Sequence, residues 1–124
     1  MKKKVKNTLI VLCSFILIIA ALIFRPVPIV TESEAIVETG IVSEIYTNSG
    51  NDVFFELENK QRRYYINRGL EYGLEIERLK NKLIGNSIVV KYPKYWTPLD
   101  WNNRIRHVSK LEFDGETLFN EFKE

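Results

Sequence analysis

Cysteine occurs once in the 124 residues, as Cys13, and histidine once, as His107. A single thiol excludes a disulfide within the chain and a cysteine-based zinc site, so the fold depends on packing. Six glycines are scattered through the sequence, and none builds a nucleotide-binding loop. Metal-protease motifs and recognisable catalytic triads are also missing. An excess of positive charge is lacking where it would count. The overall charge of +2 averages two unlike regions. Lys2, Lys3, Lys4, Lys6 and Arg25 flank an apolar run, leaving thirteen Lys and Arg against sixteen Asp and Glu elsewhere. The part beyond the run is therefore acidic, which removes the simplest support for nonspecific nucleic-acid binding.

What the sequence does have is that run, Leu9 to Phe24, without a charge and with Ser14 as its one weakly polar residue. With Thr8 it reaches seventeen residues, enough at roughly 1.5 Å per residue to cross a thin hydrocarbon core. Val5 before it and Val27, Ile29 and Val30 after it extend the apolar contact, and Pro26 and Pro28 stop the helix. A cleavable secretory signal has the same basic start and apolar stretch. Its cleavage needs small residues after the run, where Leu22, Ile23 and Phe24 stand, so a retained helix is expected. Lipid attachment at Cys13 is disfavoured by the bulky Leu12 and the few apolar residues preceding it. Four lysines before the helix, against Arg25 and then Glu32, Glu34 and Glu38 after it, predict a cytoplasmic N-terminus and an extracytoplasmic C-terminal domain.

The chain accordingly divides into a basic N-terminus (1–7), a transmembrane helix (8–24), a stalk (25–34) and a domain (35–124). The prolines and polar residues of the stalk read as an extended spacer. Ala35 to Tyr46 is a long strand interrupted by Gly40, with Ile41, Ser43 and Ile45 on one face. Turn formers at Thr47 to Asp52 and Asn59 to Gln61 separate Val53 to Leu57 from Arg62 to Ile66, which makes a meander. Asn67 is placed to cap a helical turn, and Leu74 to Leu83 carries Ile76, Leu79 and Leu83 on one side before Gly85. Asn86 to Tyr92 returns to strand, followed by a loop and then by Ile105 to Phe113. Asp114–Gly115 is a hairpin signal, and Glu116 to Phe122 reads as a strand with a frayed or helical end.

From Glu38 to Phe119 this order, with Gly40 inside a long first strand and Gly85 before the fourth, resembles an OB-fold. That resemblance implies a mainly β, α+β domain: a five-stranded barrel ordered β-β-β-α-β-β behind the N-terminal helix. The helix between strands argues against an SH3-like barrel. Tyr64 to Gly73, YYINRGLEYG, also looks like a motif of small membrane-anchored bacterial proteins, a likeness that implies no activity.

Thirteen aromatics follow Thr31, more than so small a core obviously needs. Tyr92, Tyr95, Trp96 and Trp101, with Asp100 and Asn102, form the leading candidate ligand surface: flat rings stack on sugars or bases while amides and the carboxylate give directional bonds. The competing reading puts both tryptophans in barrel packing or at the membrane interface. Lys60, Arg62, Arg63 and Arg68 are a weaker candidate for phosphate contact, because Glu56, Glu58 and Glu71 are interleaved with them. His107 reads as structural, and Glu71, Glu75 and Glu77 as a charged helix start rather than an acid/base or metal set. No metal or cofactor is expected. The expected function is a noncatalytic membrane-tethered binding or accessory module with an envelope protein, peptide or glycan as partner. The alternative is a structural subunit of a membrane complex recruited through its transmembrane helix; an enzyme is the third reading, disfavoured by the missing motifs.

Overall fold

A computed structural model describes residues 2–28 and 30–122. Ile29 and the terminal residues 1, 123 and 124, all included in the divisions above, lie outside them.

The apolar run forms α1, Lys2–Ile23, 22 residues that at roughly 1.5 Å each extend about 33 Å. By length and composition it is a candidate membrane span, and none of its residues is buried. Ser14 donates to the Ile10 carbonyl and Thr8 to the Lys4 carbonyl, both at 2.8 Å, so its hydroxyls are satisfied within the helix. The helix takes in the lysines as its first turn and ends before Phe24.

The rest of the chain is mixed α+β: one sheet of seven strands, with a short helix, where the pattern predicted five strands. The strands are β1 (Ile36–Thr47), β2 (Val53–Leu57), β3 (Arg63–Ile66), β4 (Ser87–Tyr92), β5 (Ile105–His107), β6 (Lys110–Phe113) and β7 (Glu116–Asn120), and α2 is Ile76–Leu83. Their order across the sheet is β5-β3-β2-β1-β4-β6-β7, and the ladder is not closed. Every pairing is antiparallel except β3 with β5.

β1 serves both halves. Ile36 to Ile41 pair with β4, and Val42 to Thr47 with β2, with a register shift between Val42 and Glu44. The extra residue puts Val42 and Ile45 inward, three apart, and leaves Ile41 and Ser43 exposed. The expected face of Ile41, Ser43 and Ile45 is therefore wrong. Gly40 marks a close approach beside the bulge: a Cβ there would come within 2.9 Å of Leu57 Cδ1. Val42, Phe55, Tyr64, Ile88 and Leu111 are central to the core, and α2 lays Leu79 and Leu83 on it, as its periodicity predicts.

Asn67 does not cap the turn that precedes α2. Arg68, at φ 52°, precedes a 3₁₀ turn over Gly69–Tyr72 and donates its N–H to Asp52 Oδ1 at 2.8 Å. α2 stops at Ile84, whose backbone is extended. Gly85, left-handed at φ 85° as expected, sits in the turn closed by the Asn86 N–H donating to the Leu83 carbonyl at 2.9 Å, and its own N–H donates to the Val42 carbonyl at 2.8 Å. Asp114 and Gly115, at φ 50° and 78°, form the tight hairpin between β6 and β7, and β7 continues to Asn120.

The predicted strand Ile105 to Phe113 is two strands. Val108 N–H donates to the Tyr65 carbonyl and Ser109 N–H to the Lys91 carbonyl, both at 2.8 Å, so the chain leaves β3 for β4 at that step. Inward positions change parity there: Arg106 and Val108 are buried, then Ser109 and Leu111, whereas Ile105 is exposed. The alternate residues Ile105, His107, Ser109, Leu111 and Phe113, which an unbroken strand would put on one side, consequently do not share it.

Candidate ligand cleft and aromatic loop

Glu38 lies on the part of β1 paired with β4, with its carboxylate turned in. Tyr64 of β3 and Tyr92 of β4 both donate their hydroxyls to it, and Arg62 Nη1 pairs with its Oε1 at 2.7 Å. Burial alone would raise the Glu38 carboxyl. The two hydroxyls and the charges of Arg62 and Lys60 reverse that and hold it below its ordinary value. Burial and the same hydrogen bond push the Tyr92 phenol up to about 12 and the Tyr64 phenol further. Arg106 Nη1 donates to the Tyr95 carbonyl at 3.1 Å, and its Cζ lies 5.2 Å from the Tyr92 ring, while its buried Nε has no partner among the described residues.

Outside this cluster opens a polar cavity of about 500 Å³. Glu38, Lys60, Gln61, Arg62, Asn102 and Arg104 line it. Arg104 is placed by Asp100, whose Oδ1 and Oδ2 accept the Arg104 and Ile105 N–H groups at 2.9 Å, and by the Arg63 N–H donated to the Arg104 carbonyl at 2.6 Å. Among the described residues neither Lys60 nor Arg104 is ion-paired. Three cations thus face one carboxylate already committed to two phenols and a guanidinium.

The structure separates the candidate aromatics. Tyr92 is buried beneath the cleft, whereas Tyr95 and Trp96 are half-buried and Trp101 is exposed on the loop between β4 and β5. Trp96 Nε1 donates to the Trp101 carbonyl at 3.2 Å, and the two rings meet nearly edge-on at 5.1 Å. Asp100 serves the backbone and Asn102 lines the cleft. The basic set also divides: Lys60 and Arg62 face the cleft, Arg63 lies 4.0 Å from Glu56, and Arg68 lies 3.6 Å from Glu71.

His107 Nε2 is 2.5 Å from Glu121 Oε1, which also accepts from Ser109 Oγ at 3.1 Å. A carboxylate standing between hydroxyl and imidazole leaves the imidazole unplaced to take the serine proton. Glu71, Glu75 and Glu77 each pair with a basic residue three positions away on the chain, Arg68, Arg78 and Lys80.

The sequence reading missed Glu38 and Arg104. For Glu38 a signal exists: with Ile36 and Gly40 it occupies the less exposed alternate positions of β1, an acid where that alternation expects an apolar residue. Arg104 had none, because only the loop's fold brings it opposite Lys60. Comparison with family models, curated proteins and solved structures finds no match for this chain.

Proposed function

We propose that the chain is a noncatalytic, membrane-tethered binding module, its N-terminus cytoplasmic and its domain facing the cell envelope. It takes an anionic group of an envelope protein, peptide or glycan in the cleft between the turn at Asn59 to Arg62 and the loop ending at Arg104. The observation carrying this reading is the convergence of Lys60, Arg62 and Arg104 on one cavity, with Lys60 and Arg104 unpaired among the described residues. Asn102 and Gln61 add amide donors for orientation. An OB-like barrel is our reading of the scaffold. Its support is the sharing of β1 between β2 and β4, and the consecutive Val108 and Ser109 bonds that carry the last long segment from β3 to β4.

The test is photocrosslinking in native membranes from a reactive group at Gln61. Adducts that disappear when Lys60 and Arg104 become alanine support the cleft. Adducts indifferent to both changes, in a protein that remains folded, remove it.

A structural subunit recruited through α1 is the second reading, favoured by the helix having no buried residue. Replacing α1 with an unrelated anchor separates the two, because full function after the exchange excludes recruitment by the helix.

A further inference from the structure

Arg25 follows the end of α1 by two residues, and it is fastened to the aromatic loop. Its Nη2 donates to the Trp96 carbonyl at 2.5 Å, its Cζ lies 4.9 Å from the Tyr95 ring, and Tyr95 donates its hydroxyl to the Arg25 carbonyl at 2.8 Å. These contacts hold the loop Lys94 to Arg104 where the chain leaves the candidate membrane span.

That loop presents the domain's two most exposed large apolar side chains, Leu99 at 74% and Trp101 at 72%, and Phe24 beside Arg25 is 83% exposed. The Trp96 ring, against Trp101 and bonded to its carbonyl, supports Trp101 from behind. The loop's single acid, Asp100, spends both oxygens on backbone N–H groups. The loop's own remaining charges are Lys94 and Arg104, and Arg25 is fastened to it, all cationic like the headgroup-facing anchors of interfacial segments. Aromatic side chains with a polar edge favour the same layer.

We propose that the loop Lys94 to Arg104 is a second membrane contact: Leu99 and Trp101 enter the interfacial layer of the bilayer that α1 spans. The bilayer is chosen as occupant because Arg25 joins this patch directly to the end of the span. The contact orients the domain so that Asn102 and Arg104, which line the cleft, lie at the headgroup layer. The apolar contact does not depend on the cleft's ligand, since Leu99 and Trp101 do not line the cleft and, of the contact's cations, Arg104 alone is shared between the two.

The full chain, reconstituted in phosphatidylcholine bilayers with and without phosphatidylglycerol, tests this through single-tryptophan variants. Trp96→Phe leaves Trp101 as the reporter. Its emission is expected to be quenched by bromine carried on the lipid acyl chains and to be several-fold less accessible to aqueous acrylamide than in the unfolded chain. Quenching by acrylamide without quenching by bromolipid means a solvent-facing loop and overturns the proposal. Shielding from both means that protein covers the loop, a partner or a second copy, and overturns it equally. Because Trp96→Phe removes the bond to the Trp101 carbonyl, Leu99→Cys in a Cys13→Ser background, labelled with an environment-sensitive fluorophore, provides an independent reporter. A water-like spectrum in bilayers at position 99 likewise rejects the contact. Phosphatidylglycerol is expected to deepen the lipid quenching through Arg25, Lys94 and Arg104; an unchanged signal in its presence removes the cationic part of the argument.

Discussion

Removing the Glu38 carboxylate strands two buried phenols at once and frees Arg62 to solvent. Glu38→Ala is therefore expected to lower stability by about 3 kcal/mol, the order of cost for buried donors left without an acceptor, and Glu38→Gln by less. Chemical denaturation of the chain in detergent, followed by circular dichroism, checks the order; equal losses would mean that the acceptor that glutamine keeps contributes nothing and the charge carries the whole effect. The Glu38 carboxyl is held below its ordinary value, so its contribution is complete above that value and is lost as pH falls through the lowered one. Glu38→Gln should accordingly flatten the acid limb of the stability profile. The phenols act in the opposite direction. Tyr65 and Tyr92 are raised to about 12, so their contribution is present below the ordinary value near 10 and is lost as pH climbs toward 12. Tyrosinate absorbance from these residues should rise together with unfolding. If it rises fully while the fold persists, the buried arrangement is wrong. A change at Gly69 is steric: a Cβ there would sit 2.6 Å from Val53 Cγ2, and Gly69→Ala is expected to cost about 1–3 kcal/mol by overpacking.

At the scale of elements, the end of the predicted stalk is held to the sheet. Its Glu32–Glu34 turn is docked: Glu32 accepts from Lys91 at 2.6 Å and Lys110 at 2.8 Å, and Glu112 joins both lysines at 3.6 and 3.4 Å. Glu32→Ala should release that turn, seen as faster amide exchange over Ala35 to Val37 with little change in the exchange of Val53 to Leu57. Uniform acceleration would indicate global destabilisation instead. The docking was invisible in the sequence because Lys91 and Lys110 lie 59 and 78 residues from Glu32. The β1–β2–β3 meander was legible for the opposite reason: Val53, Phe55 and Leu57 alternate between turn formers, and their partners follow directly. The division of β5 from β6 was not, because Val108 and Ser109 choose different neighbours, a decision made by Tyr65 and Lys91 far away on the chain. The cleft was half legible for the same cause. Lys60 and Arg62 were visible as a basic cluster, whereas Glu38 acquires its role from phenols 26 and 54 residues away.

For the whole molecule, orientation is a balance between two ends of one helix. Lys2, Lys3, Lys4 and Lys6 stand at the start of α1, and Arg25 stands just past its end. Loop charge sets the direction of insertion through such asymmetry, with acids contributing little. Changing all four lysines to glutamine leaves Arg25 as the strongest nearby charge, and it lies on the wrong side for the proposed orientation with the N-terminus cytoplasmic. A mixed population is then expected. It can be read from an impermeant thiol reagent acting on Gly50→Cys in a Cys13→Ser background, since Gly50 lies in the exposed turn beyond Thr47, at the end of β1 away from the stalk. Labelling from the extracytoplasmic side should fall from nearly complete to partial. If it stays complete, the lysines do not decide the orientation. Helix hydrophobicity or the folding domain must then set it, and within the domain the aromatic loop is the segment that two hydrogen bonds tie to Arg25, just past the end of α1.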